Sequence, residues 1–314
     1  MKKICITGAS GFIGRSLCKS LINFKIPMIA LVRNRNSFLN FLQIEQIQFD
    51  ELNSNNNLKK YLRDCHCIVH CAGRAYDKKI RSNEYNLENV ELTKKIAEYA
   101  VDEGVKRFVF LSSIKVNGES TYKTNTKQRF SHKNTSNPQD SYAISKLEAE
   151  KILWEISSKT GLEVVVVRLP LVYGYGAKGN LERLIKLVRL GIPLPLSLVK
   201  NQRSMVGMDN LVDLLIRCID HPEASGKTFL ASDGEDLSTP KLIKLIASSM
   251  GRKANLFPFP IYILKFLASV LGKKEEINRL VGSLRIDNSY TKKILNWTPP
   301  ISVEEGIRKM VQGK

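Results

Sequence analysis

The chain has 314 residues, 43% apolar and 25% charged, which is ordinary for a soluble globular protein of one large or two unequal folded units. Its formal charge of +19 is carried by scattered basic pairs such as Lys59–Lys60 and Lys94–Lys95, with no stripe and no interleaved aromatics, which argues against nucleic acid and for a solvated basic surface that attracts anionic ligands. No apolar run is long enough to span a bilayer and residues 1–8 read as a strand, so no stable membrane insertion is expected, and a cytoplasmic location is.

Strand and helix patterns alternate through the first half. The apolar run KKICIT (2–7) leads into the glycine loop TGASGFIG and then the amphipathic stretch FIGRSLCKSLINF. In that loop Gly8 permits the tight turn, Gly11 lets the backbone approach a pyrophosphate, and Gly14 permits close helix–strand packing, with Ser10, Phe12 and Ile13 between them. The helix that follows aims its free N–H groups and positive dipole end at phosphates. A glycine triplet alone is weak evidence; placed between an N-terminal strand and an amphipathic helix it predicts a dinucleotide site.

The second strand, PMIALV (27–32), ends at Arg33. An acidic residue there would accept bonds from an adenosine ribose 2′-hydroxyl. A guanidinium instead pairs with a 2′-phosphate, so Arg33, with Arg35 nearby, favours NADP(H) and leaves NAD(H) as the alternative. The third strand, IEQIQF (44–49), places Asp50 near the adenine amino group. In the fourth, CHCIVHC suggests a metal site, but alternation along a strand turns Cys67 and Cys71 one way and His70 the other, so no metal site is expected. Ala72 and Gly73 follow it.

After the helical stretch NEYNLENVELTKKIAEYAVDEG, strand RFVFLS (107–112) brings Ser112-Ser113 to the carboxyl edge of the sheet, where ligands sit in open α/β folds. Ser112 is expected to cap backbone, and Ser113 to bond a substrate oxygen. Tyr142 and Lys146 then form YxxxK at the start of a helix, an i, i+4 spacing that puts both side chains on one face. A phenol with a pKa of about 10 is a poor base at neutral pH. A lysine ammonium and an oxidised nicotinamide nearby favour the phenolate, so Tyr142 is expected to move the proton while hydride passes to or from the cofactor.

Strand EVVVVRL (163–169) completes a run of continuous Val/Ile strands alternating with helices, which predicts a parallel, doubly wound sheet of the α/β class with right-handed crossovers. Residues 1–172 form this nucleotide-binding unit, with some later segments returning to it. Residues 173–314, rich in Gly and Pro at YGYGAKGN and GIPLPLSL, read as a smaller substrate-binding cap. The apolar stretch FPFPIYILKFLASVLGKK (257–274) has a basic end suited to a membrane surface, but a buried cap helix is the expectation.

TGxxGxxG, HCAGR, SSIKVNGE, YxxxK and RLPLVYGYG, in that order over nearly the whole chain, resemble the extended short-chain dehydrogenase/reductase superfamily, specifically the NAD-dependent epimerase/dehydratase family acting on nucleotide sugars. The resemblance implies a Rossmann-type fold and an NAD(P)-dependent enzyme with Ser113, Tyr142 and Lys146 as catalytic residues. It implies Ala72, Gly73, Pro170, Leu171 and Val172 beside the cofactor and Asn180 and Leu181 over the sugar nucleotide. It gives Arg203 the substrate diphosphate, with Arg279 or Arg285 as second partner, since a planar guanidinium suits that group. A UDP-sugar is the implied substrate, surface polysaccharide biosynthesis the setting, and a homodimer through the helices near 84–104 and 140–160 the implied assembly.

Within the family, SSIKVNGE with PLVYG and NLERLIKLVRLGIPLPL is similar to the branch containing UDP-glucose 4-epimerase-like proteins and the 4-keto reductase that forms UDP-N-acetylquinovosamine. Arg33 tilts the expectation to 4-keto reduction, with UDP-hexose 4-epimerisation as the alternative. Ile114-Lys115 stands where dehydratases of this family carry an Asp-Glu pair, which argues against dehydration. A non-catalytic NADPH-binding regulator would require loss of Tyr142 or Lys146, and both are present.

Overall fold

The computed structural model describes residues 3–48, 57–77, 80–121 and 128–313. Seven parallel strands form the main sheet: β1 (Lys3–Thr7), β2 (Met28–Val32), β3 (Gln46–Gln48), β4 (Cys65–His70), β5 (Arg107–Ser113), β6 (Glu163–Leu169) and, after the short β7 (Leu171–Tyr173) and β8 (Arg203–Gly207), β9 (Lys227–Leu230). Their spatial order is β3-β2-β1-β4-β5-β6-β9. The chain starts in the middle, runs to one edge and returns to fill the other, which is the doubly wound Rossmann order. A second sheet, β10-β8-β7, pairs β7 and β8 in parallel and adds the antiparallel β10 (Asp236–Leu237).

The alternating apolar residues explain why both faces of the main sheet are covered. Ile4, Ile6, Val165 and Val167 face one core, with the helices Phe12–Asn23 and Met208–Asp220 laid over it. Cys5, Ile68, Val164 and Val166 face the other, under the helices Leu92–Asp102 and Ser141–Thr160. Cys67 and Cys71 belong to the first side, whereas His70 stacks with Phe108 and Phe110 toward the second. Strand residues buried on both faces are what crossover helices require. A third core, including Tyr173, Leu184, Ile243 and Ile307, holds the C-terminal helices together. Helix Met208–Asp220 and β9, both from the second half of the sequence, belong to the main sheet.

Two elements depart from the sequence expectations. The long helical stretch is interrupted: a helix at Ser82–Tyr85 passes into a π-helical segment, Asn86–Glu91, before Leu92–Asp102 resumes. The wider π turn shifts the side chains that follow relative to a regular helix, a device common at functional sites. The second departure is a correction. The apolar helix Ile261–Val270, expected to be buried in the cap, has no buried residue. Only one side of it reaches the core, through the partly buried Ile261 and Leu264. Tyr262, Phe266 and Val270 point outward, 75%, 67% and 70% exposed.

Candidate active site

A cavity of about 390 Å³ runs along the carboxyl ends of β1, β2 and β4. Of the residues expected at a cofactor, Gly8, Ser10, Gly11, Arg33, Ala72 and Gly73 line it. Gly8 sits at φ +63°, and a Cβ there would lie 2.7 Å from the Ala72 nitrogen. A Cβ on Gly14 would lie 2.3 Å from the Gly8 carbonyl, so Gly14 serves the crossing of helix and loop. On Gly11 the same atom would meet only the Gly8 oxygen, at 3.1 Å, leaving the space before it open. Helix Phe12–Asn23 begins there with no side-chain cap and no acidic residue in its first turn. Its first N–H groups therefore have no intrahelical acceptor. This cradle fits a dinucleotide pyrophosphate.

Phe12 and Ile13 turn their side chains to the core and offer only backbone to the loop. Pro170 is buried and Val172 packs on the first core, and neither lines this cavity. Asp50 lies outside the described residues.

At the far end of the cavity the Arg33 guanidinium hydrogen-bonds the carboxylate of Glu88, and Arg74 binds the same carboxylate, with Nε 2.6 Å from Oε1. Burial works against the ionised form, but the two guanidinium groups hold the Glu88 carboxyl below its usual range. Neither Glu88 nor Arg74 was singled out in the sequence. Arg74 belongs to the HCAGR motif, but only the π-helical segment turns Glu88 toward it.

A hydrogen-bond chain joins the first strand to the helix that carries YxxxK. The Ala72 N–H donates to Thr7 Oγ1 at 3.1 Å, and Thr7 Oγ1 lies 2.8 Å from His70 Nδ1. His70 Nε2 lies 3.0 Å from Thr93 Oγ1, which donates to the Asn89 carbonyl at 2.7 Å. Because one end must donate and the other must accept, the chain has one consistent polarity, with neutral His70 protonated on Nε2. Burial keeps it neutral by pushing its pKa down to about 3. The Asn89 side chain in turn accepts from the Arg74 N–H at 2.7 Å and donates to Ser145 Oγ at 3.0 Å, and Ser145 donates to the Tyr142 carbonyl at 2.8 Å.

Ser113, Tyr142 and Lys146 come together where this chain ends. Asp140 caps their helix by accepting the Ala143 N–H at 2.7 Å. The Ser113 hydroxyl beside the half-buried Tyr142 phenol favours its ionised form, but burial prevails and pushes the phenol up to about 12. Lys146 is buried and donates to the Leu111 carbonyl at 3.0 Å. Burial lowers its pKa to about 8 even though Glu150 pulls the other way. Without cofactor, burial is the dominant influence on both groups, and Tyr142 is a neutral phenol at neutral pH. Ser112 also differs from expectation: its hydroxyl bonds Glu150, the buried partner of Arg168, while it is Ser113 that accepts the Lys115 N–H, at 3.2 Å.

An aromatic wall stands over the phenol. Tyr76 and Tyr85 meet the Tyr142 ring edge-on, at centroid distances of 6.2 and 5.8 Å. Tyr76 is held between two cations, the Lys115 ammonium 3.9 Å and the Arg279 guanidinium 4.3 Å from its ring centre. Lys115 also pairs with Asp140 and with Glu119. Arg203 donates to the Arg279 carbonyl at 2.9 Å; burial first, and the charge of Arg279 second, lower its pKa to about 10. Two of the three candidate arginines thus lie together, with Arg279 on Tyr76, which in turn meets Tyr142. The third, Arg285, is tied to Asp236 at 2.9 Å. Asn180 is exposed and accepts from Arg183, whereas Leu181, 3% exposed, spends its side chain on the C-terminal core, which corrects its assignment to the pocket.

A dinucleotide cradle on a Rossmann sheet, with a phenol, a hydroxyl and an ammonium at its open end, defines a nicotinamide-dependent enzyme of the short-chain dehydrogenase kind. The model of the NAD dependent epimerase/dehydratase family matches residues 4–231, and the chain belongs to that family. A UDP-glucose 4-epimerase of Vibrio cholerae is 38% identical over 320 residues, covering 99% of this chain and 95% of that protein. A dTDP-4-dehydro-6-deoxyglucose reductase of Escherichia coli is 22% identical, covering 98% and 96%. Among solved structures, UDP-glucuronic acid 4-epimerase from Bacillus cereus, in complex with NAD, superposes with a TM-score of 0.79 at 20% identity, covering 99% of this chain and 97% of that one.

Proposed function

We propose that this enzyme transfers hydride between a nicotinamide and C4 of a UDP-linked hexose or N-acetylhexose, and that it runs as a 4-keto reductase giving a UDP-N-acetylquinovosamine-type sugar in surface polysaccharide biosynthesis. The arrangement that carries the C4 chemistry is Ser113, at the carboxyl end of β5, beside Tyr142, one helical turn from Lys146. In this reading Tyr142 gives its proton to the C4 oxygen, Ser113 bonds the same oxygen, and Lys146 orients the nicotinamide ribose. Arg203 and Arg279 take the diphosphate. When bound, the cofactor supplies the hydride.

Reduction is favoured because Arg33 suits NADPH, the usual cellular reductant. NADP(H) is favoured by two guanidinium groups, Arg33 and Arg74, sharing one carboxylate at the end of the cavity expected to take the adenosine ribose. The second reading, 4-epimerisation of UDP-glucose or UDP-N-acetylglucosamine with retained NAD, is supported by the Vibrio cholerae relative.

One assay separates the two readings. Purified enzyme is incubated with UDP-N-acetylglucosamine or UDP-glucose without added cofactor, and separately with NADPH and a UDP-4-keto-6-deoxy-N-acetylhexosamine. NADPH consumption in the second mixture alone is expected, and a 4-epimer in the first would replace reduction by epimerisation. Failure of both mixtures would reject C4 chemistry on these sugars.

A further inference from the structure

Helix Ile261–Val270 presents an outward stripe that no other described residue covers. Tyr262, Phe266 and Val270 recur at helical spacing, and Leu267 and Leu271 widen the stripe, 46% and 70% exposed. Isolated exposed apolar residues are ordinary; four on one short helix and Leu271 just after it, left out while Ile261 and Leu264 hold its other side to the core, form a contiguous surface that marks an interaction site. Lys265 lies within the helix, and Lys273 and Lys274 follow it. All three are exposed, and none forms an ion pair among the described residues. The nearby acidic groups are engaged elsewhere: Glu276 with Arg183, and Glu275 with Arg279 and the Tyr76 hydroxyl.

We propose that this helix docks the enzyme reversibly on an anionic lipid bilayer surface, lying in the interface with its apolar stripe among the acyl chains and its lysines against the headgroups. The combination is that of an interfacial helix: apolar side chains including a tyrosine on one face, flanking basic groups, and a chain whose net charge of +19 draws it to anionic lipid. Its ten residues are far too few to span. A second copy of the chain is the poorer occupant, because two-fold pairing of this face would set its unpaired lysines against one another. The helix packs on Lys274–Val281, which carries Arg279 onto Tyr76 and so reaches the wall over Tyr142. Docking therefore sets the sugar-nucleotide entrance close to the bilayer.

The test is co-sedimentation of the full chain with vesicles of phosphatidylglycerol and phosphatidylcholine, and with vesicles of phosphatidylcholine alone. Two triple variants accompany it, Tyr262→Ser/Phe266→Ser/Val270→Ser and Lys265→Glu/Lys273→Glu/Lys274→Glu, with cofactor-induced thermal stabilisation as the check that each is folded. The expected result is binding to the anionic vesicles only, weakened by salt and reduced roughly tenfold or more in each variant. Absence of wild-type binding to anionic vesicles, or undiminished binding by a folded variant, would overturn the proposal. So would a wild-type dimer in solution that the serine variant turns into a monomer, since the face would then be a self-interface.

Discussion

Lys146 directs its ammonium at the Leu111 carbonyl oxygen, 3.0 Å away, not at the phenol of Tyr142. Burial has a thermodynamic consequence here. The Lys146 pKa falls from 10.5 to about 8 on folding, so between those values the unfolded chain binds more protons, and stability from this group rises with pH through that window. His70, lowered from 6.5 to about 3, acts likewise on the acid side: its contribution is complete above pH 6.5 and is lost as pH falls toward 3. Tyr142, raised from 10.0 to about 12, has the opposite sign and costs stability as pH rises through that range. Urea unfolding of the ligand-free protein is expected to show a lower midpoint at about pH 5 than at about pH 7, with the difference reduced in His70→Gln. Lys146→Met is expected to raise stability at neutral pH by roughly 1–3 kcal/mol while abolishing turnover. Midpoints that do not move with pH, or a destabilised Lys146→Met protein, would contradict this account.

Removal of the phenol hydroxyl separates chemistry from binding. Tyr142→Phe keeps the ring that packs against Tyr76 and Tyr85 but has no proton to give. Turnover is expected to fall by roughly 10²–10⁴-fold while cofactor affinity stays near that of the wild type. Ser113→Ala should lose less, because the phenol remains. Rapid-mixing measurements of hydride transfer, alongside cofactor titration, check both, and wild-type turnover in Tyr142→Phe would remove its acid role.

The sheet and the glycine loop were legible because their signals are local: continuous Val and Ile in β5 and β6, and a glycine triplet between a strand and a helix. The approach of Ser113 to Tyr142 was legible for a different reason, since the carboxyl edge of a parallel sheet faces the start of the helices that follow it. Glu88 was not legible. It occupies an ordinary helical position in the sequence, and only the π-helical segment carries it to Arg33 and Arg74. Leu181 was misread for a related reason: being beside Asn180 in the chain does not give the two the same face, and Leu181 turns into the core. The helix Ile261–Val270 looked like core because apolar composition cannot distinguish a residue covered by protein from one left for a partner.

Arg33 and Arg74 share one carboxylate, and this arrangement sets an expectation for cofactor choice. Arg33→Ala removes one of two guanidinium groups available to a 2′-phosphate, and charge-assisted bonds of this kind are worth about 1.5–3 kcal/mol. The Kd for NADPH should rise roughly tenfold or more, whereas NADH, which lacks that phosphate, should bind nearly as before. Fluorescence titration with both nucleotides measures the ratio. Equal losses for the two would show that Arg33 supports the cavity wall and does not read the phosphate.

The glycine loop offers a paired test of fold against ligand. Gly14→Ala places a methyl 2.3 Å from the Gly8 carbonyl, where no flexible side chain can yield, so helix Phe12–Asn23 must lift from the loop. Stability is expected to fall by about 1–3 kcal/mol, as for an overpacked core. Gly11→Ala meets only a carbonyl at 3.1 Å, and its backbone, at φ −78°, is in a region open to any residue. That variant should fold with nearly wild-type stability and yet lose most of its cofactor affinity, because the added methyl stands where the pyrophosphate approaches the backbone. Thermal unfolding without ligand and cofactor titration, run on both proteins, give two independent readouts. A Gly11→Ala protein that binds NADPH and NADH as tightly as the wild type would move the dinucleotide away from this loop.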